Sequence, residues 1–98
     1  MTRDVRLREE ADADLNEAAT WYEKQHLGLG HEFLDSVLDG FKSISATPLR
    51  YPLIRGRIRR ALISRFPFGI YFTMEKSHIV VLAVMHGTRH PRRWQRRR

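Results

Sequence analysis

The sequence contains no cysteine. Disulfide bonds, thiolate metal sites and a cysteine nucleophile are therefore excluded, and the absence is consistent with a reducing cytoplasm. No apolar run approaches the roughly 20 residues that a membrane-spanning helix needs. No apolar segment follows the first four residues, as it would in a secretory signal. We therefore expect a soluble, cytoplasmic protein that does not contact a membrane.

Acidic residues are scarce in the second half of the chain. Residues 1–47 contain ten acids and five Lys or Arg, a net charge of −5, whereas residues 48–98 contain thirteen Lys or Arg and only one acid, Glu75, a net charge of +12. A mixed surface would serve solubility better than a field of one sign. The segregation predicts an anionic partner, such as nucleic acid or an acidic peptide.

Ninety-eight residues are enough for one hydrophobic core and too few for two. We expect a single domain over residues 1–88 and a basic tail over residues 89–98, where six of the ten residues are arginine. The tail could bind phosphate by counterion release, with Trp94 stacked on a base. It could also receive the acidic part of a partner, or only keep the chain soluble.

Apolar residues recur at helical spacing in the first half of the chain. One stripe predicts a helix over residues 9–24, and a second runs over residues 33–44. Gly28 and Gly30 separate the two, and Pro48 ends the second. The short connector predicts an antiparallel helical hairpin, and residues 49–56 are predicted to form a loop.

The period changes to two elsewhere, which predicts strands over residues 4–7, 57–65, 70–74 and 78–86. The last is apolar on both faces, so we expect it inside the sheet. The element order is β-α-α-β-β-β, of the α+β class. It predicts a small, twisted, mainly antiparallel sheet with a two-helix hairpin on one face, and the other face partly open and rich in arginine.

Several short motifs stand in an order and spacing that together are specific. They are Ala13-Asp14-Leu15, Ala18, Trp21-Tyr22-Glu23, Gly28-Leu29-Gly30 before Phe33, Pro48 with Tyr51-Pro52, Ile58-Arg59-Arg60, Arg65-Phe66-Pro67-Phe68, Ile70-Tyr71-Phe72, and Val81-Leu82-Ala83-Val84 before His86-Gly87-Thr88-Arg89. Together they resemble the RelE/ParE superfamily of type II toxin–antitoxin toxins, of the plasmid-stabilisation kind. The resemblance implies the RelE/ParE-like fold, a cytoplasmic toxin and a cognate antitoxin that binds it in a hetero-oligomer.

The resemblance implies two possible targets. The mRNA-cleaving, ribosome-dependent members use Arg, Lys, Glu, His and a Tyr near the C-terminus, and Arg65, His86 and Arg89 are the candidate catalytic residues here. No tyrosine follows Tyr71, however, and no glutamate lies in the matching strands. Members resembling ParE bind DNA gyrase without chemistry of their own, and the Trp21-Tyr22 helix is closer to them. A growth-inhibiting gyrase binder is therefore favoured, with an endoribonuclease and a non-toxic nucleic-acid-binding module as alternatives.

Three arginines of the first long strand after the loop are candidate binding residues. Alternation places Arg59 and Arg65 on the side of Ala61, and Arg60 on the other side. Arginine suits bidentate contact with phosphate or carboxylate. Pairing with an acid of the helical layer is the alternative for any one of them.

His86 ends the most apolar strand, beside Gly87 and Arg89. It could act as a general acid or base, or be a hydrogen-bonded residue that closes the strand. Its i, i+4 spacing to His90 does not predict a metal site, because Gly87 and Pro91 disfavour a helix there, and we expect no metal or cofactor. The residues predicted to bind the target or antitoxin are Arg59, Arg60, Arg65, His86, Arg89, Arg92, Arg93 and Trp94.

Overall fold

A computed structural model describes residues 3–87. The elements are β1 (Asp4–Leu7), α1 (Glu9–Gln25), α2 (Leu29–Ala46), a 3-10 turn (Pro48–Arg50), β2 (Leu53–Arg55), β3 (Ile58–Leu62), β4 (Phe68–Met74) and β5 (His78–His86). The predicted α+β class is confirmed, and the order gains one strand, β2. The predicted boundary at residues 88 and 89 and the basic tail lie outside the described residues.

The helical hairpin forms where the apolar stripes predict it. Three acids occupy the first turn of α1, where the helix dipole favours negative charge. Gly28 precedes α2 with a φ of 87°, a left-handed conformation that glycine adopts without strain. Helix α2 ends at Ala46, because Thr47 precedes Pro48 and is displaced from the helical region.

A carboxylate holds the hairpin closed. The side chain of Glu23 accepts hydrogen bonds from the backbone N–H groups of Gly28 and Gly30, at 2.9 and 3.0 Å. These two bonds stabilise the ionised form and lower the pKa of Glu23. A Cβ at Gly30 would lie 2.5 Å from the carbonyl oxygen of Ala19, so glycine lets α2 approach α1 closely.

The five strands form one sheet in the order β1-β5-β4-β3-β2. Strand β1 runs parallel to β5, and the other neighbours are antiparallel. The interior position predicted for β5 and the edge position predicted for β1 are confirmed. The main core lies between this sheet and the helices, and its fully buried side chains include Phe33, Val37, Ile44, Ile70, Phe72 and Val84.

The sheet face away from the helices is more apolar than the sequence predicts. It carries a second buried cluster of Ile58, Tyr71, Leu82, Ala83 and Met85. A register shift makes this possible, because Tyr71 pairs with Ala83 whereas Phe72 pairs with Val81. Leu82 is the extra residue of a β-bulge, which reverses the alternation of β5 beyond it.

The loop predicted over residues 49–56 is wrong in part. Leu53 pairs with Arg59, and Gly56, with a φ of 53°, turns the chain from β2 into β3. A three-residue strand is too short to show a period of two, which is why the sequence does not reveal it. The predicted strand boundaries also shift: β3 is shorter than residues 57–65, and Phe68 and Gly69, predicted as a turn, begin β4.

Candidate functional site

Arg65 lies in the turn between β3 and β4. Its Nη2 atom donates a hydrogen bond to Oε1 of Glu32 on α2, at 2.6 Å. The guanidinium carbon lies 5.8 Å from the centre of the Phe66 ring. The backbone φ of Arg65 is 71°, an unusual value for a residue with a side chain. One of the alternatives from the sequence, an arginine paired with an acid of the helical layer, is confirmed for Arg65.

His86 ends β5 as predicted, and its ring lies on the helical side of the sheet. The ring centre is 5.5 Å from that of Phe68, with the planes at 71°. The bulge at Leu82 explains the side, because His86 follows Val84, which belongs to the helix-facing core. Uninterrupted alternation from Ile79 would have placed His86 on the other face.

Aromatic contacts connect Arg65 to His86 at one end of the molecule. The Tyr22 ring lies 4.9 Å from Phe66 and 6.0 Å from Phe68, both near edge-to-face. Burial raises the pKa of Tyr22. Two of the three candidate catalytic residues, Arg65 and His86, therefore share an end of the sheet, with a cluster of aromatic rings between them.

Arg59 and Arg60 point to opposite faces of β3, as alternation predicts. Arg59 pairs with the core residue Phe72, and its Nη1 donates to the carbonyl oxygen of Tyr51 at 2.6 Å. Arg60 pairs with Tyr71 on the other face. Arg59 is thus engaged with the backbone of its own chain, whereas Arg60 lies beside the second apolar cluster.

The stem of Arg60 lies flat against the sheet. A Cβ at Gly69 would be 3.2 Å from the Cγ and 3.3 Å from the Cδ of Arg60, so glycine provides the space for this stem. The Nε atom is buried, and no hydrogen-bond acceptor for it lies within residues 3–87. A buried N–H without an acceptor is costly. Among the predicted binding residues that the structure describes, Arg60 therefore has a buried hydrogen-bond donor without an acceptor in residues 3–87.

The arginines near β2 and β3 are mostly without acidic partners. In the part of the chain that the structure describes, Arg57 pairs with Glu75 and Arg65 with Glu32. The remaining arginines of residues 50–65 form no ion pair with residues 3–87, and they are Arg50, Arg55, Arg59 and Arg60. Positive charge is concentrated at this edge of the sheet.

Four predicted binding residues are Arg89, Arg92, Arg93 and Trp94, and they lie outside the described residues. Among residues 3–87, no three His, Cys, Asp or Glu side chains are grouped as metal ligands. Over the same residues, neither helix has the length and apolar content to span a membrane. The candidate residues that the structure places are therefore Arg59, Arg60, Arg65 and His86.

Two acids that hold this arrangement together were not among the predicted site residues. Glu32 pairs with Arg65 from a position 33 residues away in the sequence. Asp14, on α1, accepts the backbone N–H of Val84 in β5 at 3.1 Å, beyond the end of β1. Helical periodicity marks both only as polar residues beside an apolar stripe, so the sequence gives no signal for these partners.

Comparison with known proteins identifies the family. Residues 5–91 match the family model described as ParE toxin of type II toxin-antitoxin system, parDE. The chain belongs to the ParE toxin family. The resemblance to the RelE/ParE superfamily is thereby confirmed, on its ParE side.

A solved structure has the same fold. It is described as the chromosomal ParDE TA system from P. aeruginosa, with a TM-score of 0.71 and 18% sequence identity. The match covers 87% of this ParE-family chain and 96% of that chain. A search among curated protein sequences finds no match.

Proposed function

We propose that this ParE-family chain is a growth-inhibiting toxin that acts in the cytoplasm by binding an essential protein, DNA gyrase. A cognate antitoxin neutralises it in a hetero-oligomer. Family membership over residues 5–91 supports the toxin role. The fold shared with a ParDE toxin–antitoxin system supports a protein partner.

The hydrogen bond from Arg65 to Glu32 is the observation that favours binding over RNA cleavage. A nuclease needs cations aimed at the phosphate charge that develops in the reaction, and a group that moves a proton. Arg65 directs its guanidinium to Glu32 at 2.6 Å, which partly neutralises its charge. His86 packs against Phe68 at 5.5 Å in the aromatic cluster. These contacts support a structural role for both side chains.

One observation favours the alternative, a ribosome-dependent mRNA endoribonuclease: Arg65 and His86 lie at the same end of the sheet. The sequence supplies no tyrosine after Tyr71 to complete such a site. The arginines near β2 and β3 that have no acidic partner among residues 3–87 favour a third possibility, a non-toxic nucleic-acid-binding module. We rank both below gyrase binding, because the pairing of Arg65 with Glu32 disfavours the nuclease and the match to a toxin family disfavours a non-toxic module.

Inducible expression tests the toxin role directly. We expect growth to stop on induction and to resume when the small gene next to the toxin is co-expressed. DNA damage with uncleaved mRNA would support gyrase as the target. Ile70→Asp, which places a carboxylate in the buried core, is the unfolded control and should be harmless. Normal growth with abundant folded wild-type protein would contradict the proposal.

A further inference from the structure

The sheet edge formed by β2 and β3 is only partly paired. Strand β2 pairs with Ile58 and Arg59 of β3. The N–H of Arg60 donates to the carbonyl oxygen of Pro52, just before β2, at 3.2 Å. Backbone alternation then directs the N–H and C=O of Leu62 to the same side, past the start of β2. The backbone of Leu62 is a point where a further strand can pair with β3.

Large apolar side chains flank this edge. Leu53 is 55% exposed and Leu62 is 67% exposed. Leu53 pairs with Arg59 and so lies on the helical side, whereas Leu62 pairs with Gly69 and lies on the other side. The side chains of an added strand would alternate between the two sides of the sheet. On each side, one exposed leucine can pack against them.

The charge of the edge defines the partner's chemistry. Arg55 and Arg60 lie on β2 and β3 and form no ion pair within the described residues. The buried Nε of Arg60 finds no acceptor among residues 3–87. A carboxylate matches the guanidinium of an arginine with two parallel hydrogen bonds. The edge therefore suits a strand with acidic and apolar side chains.

We infer that the β2–β3 edge binds an extended, acidic segment of a partner protein, which pairs with Leu62 as an added strand and directs a carboxylate to Arg60. The inference rests on the proposed function, because the antitoxin is the partner that supplies the segment. A nucleic acid would satisfy the arginines, but it has no backbone N–H and C=O pair for Leu62 and no apolar side chains at strand spacing.

The test uses the full chain and its antitoxin. We expect the Leu62 amide to exchange hydrogen about 10-fold or more slowly in the complex, as a newly formed ladder hydrogen bond requires. Arg60→Gln and Leu62→Asp should each weaken antitoxin binding by about 10-fold or more. The matched controls are Arg8→Gln, at an exposed arginine just before α1, and Leu27→Asp, at a leucine in the hairpin loop that is 87% exposed.

The outcomes separate the two proposals. Slower exchange at Leu62, with affinity lost in both edge variants and kept in both controls, supports the inference. Tight antitoxin binding with unchanged exchange at Leu62 and wild-type affinity for the edge variants overturns it and leaves the proposed function standing. Protection of Leu62 by a short DNA or RNA duplex and not by the antitoxin also overturns it. Absence of any complex with the wild-type chain overturns both. Circular dichroism of each variant confirms that the fold is intact.

Discussion

The guanidinium of Arg65 donates a 2.6 Å hydrogen bond to the carboxylate of Glu32 and so ties the β3–β4 turn to α2. The Ser36 hydroxyl donates to the carbonyl oxygen of Ser64 from the next turn of the same helix, at 2.5 Å. Two contacts thus anchor the turn that holds Arg65 at a positive φ. Arg65 therefore helps to fix the conformation of the β3–β4 turn on the surface of the protein.

Double-mutant analysis of Glu32 and Arg65 measures that contact. Both side chains are substantially exposed, at 45% and 62%, so we expect a coupling free energy of no more than about 1 kcal/mol. The free energy of urea unfolding is compared for Glu32→Gln, Arg65→Gln and the double variant. Fully additive effects would show that the pair contributes nothing to stability.

The structure predicts an acid-sensitive hairpin through Glu23. Its pKa is lowered in the folded protein by the N–H groups of Gly28 and Gly30. The stabilisation is therefore complete above the pKa of an ordinary glutamate and is lost as the pH falls through the lower folded value. Glu23→Gln should reduce the loss of stability on acidification, measured by urea unfolding across that pH range. Glu17→Gln, an exposed glutamate on the same helix, should leave the acid dependence of the wild type, and equal curves for the two variants would contradict the prediction.

Gly30→Ala should destabilise the protein by about 1–3 kcal/mol. The new Cβ would lie 2.5 Å from the carbonyl oxygen of Ala19, and backbone cannot move aside as a flexible side chain can. Gly87→Ala is the control, because its nearest neighbour, the carbonyl oxygen of Pro67, would be 3.7 Å away. Thermal unfolding checks both. A Gly30→Ala protein as stable as the Gly87→Ala protein would mean that the helices separate at little cost.

Long periodic segments of this fold are predictable from the sequence, and short or long-range features are not. Many residues of α1 and α2 follow the same helical period, and β5 is a long apolar run. Strand β2 has only three residues, too few to show a period. The start of β4 differs from the prediction because Pro67 and Gly69 are typical of a turn, whereas Phe68 and Gly69 pair with β5.

The candidate site was predictable in its residue types but not in its geometry. Alternation correctly separates Arg59 from Arg60, since it depends only on neighbours along one strand. The bulge at Leu82 turns His86 to the helical side, and no local pattern marks it. The contact from Glu32 to Arg65 spans 33 positions, and only the packing of α2 against the sheet brings the two together.

His86→Gln distinguishes a binder from a nuclease. Proton transfer by a histidine typically contributes 10²- to 10⁴-fold to a rate, so a nuclease would lose nearly all toxicity. In a binder, glutamine retains a hydrogen-bonding group, and we expect toxicity within about 10-fold of the wild type and a stability loss on the order of 1 kcal/mol. Growth inhibition is measured at several expression levels. Antitoxin binding shows whether the variant is folded. A folded, antitoxin-binding but harmless variant would favour the endoribonuclease.

We propose above that this ParE-family toxin acts on gyrase by binding. The most direct test of this proposal adds the purified chain, free of antitoxin, to a gyrase supercoiling reaction and to a translating ribosome with RNA ends mapped. We expect loss of supercoiling, reversed by antitoxin, and intact mRNA. Unimpaired supercoiling together with new mRNA ends at the ribosome would contradict it.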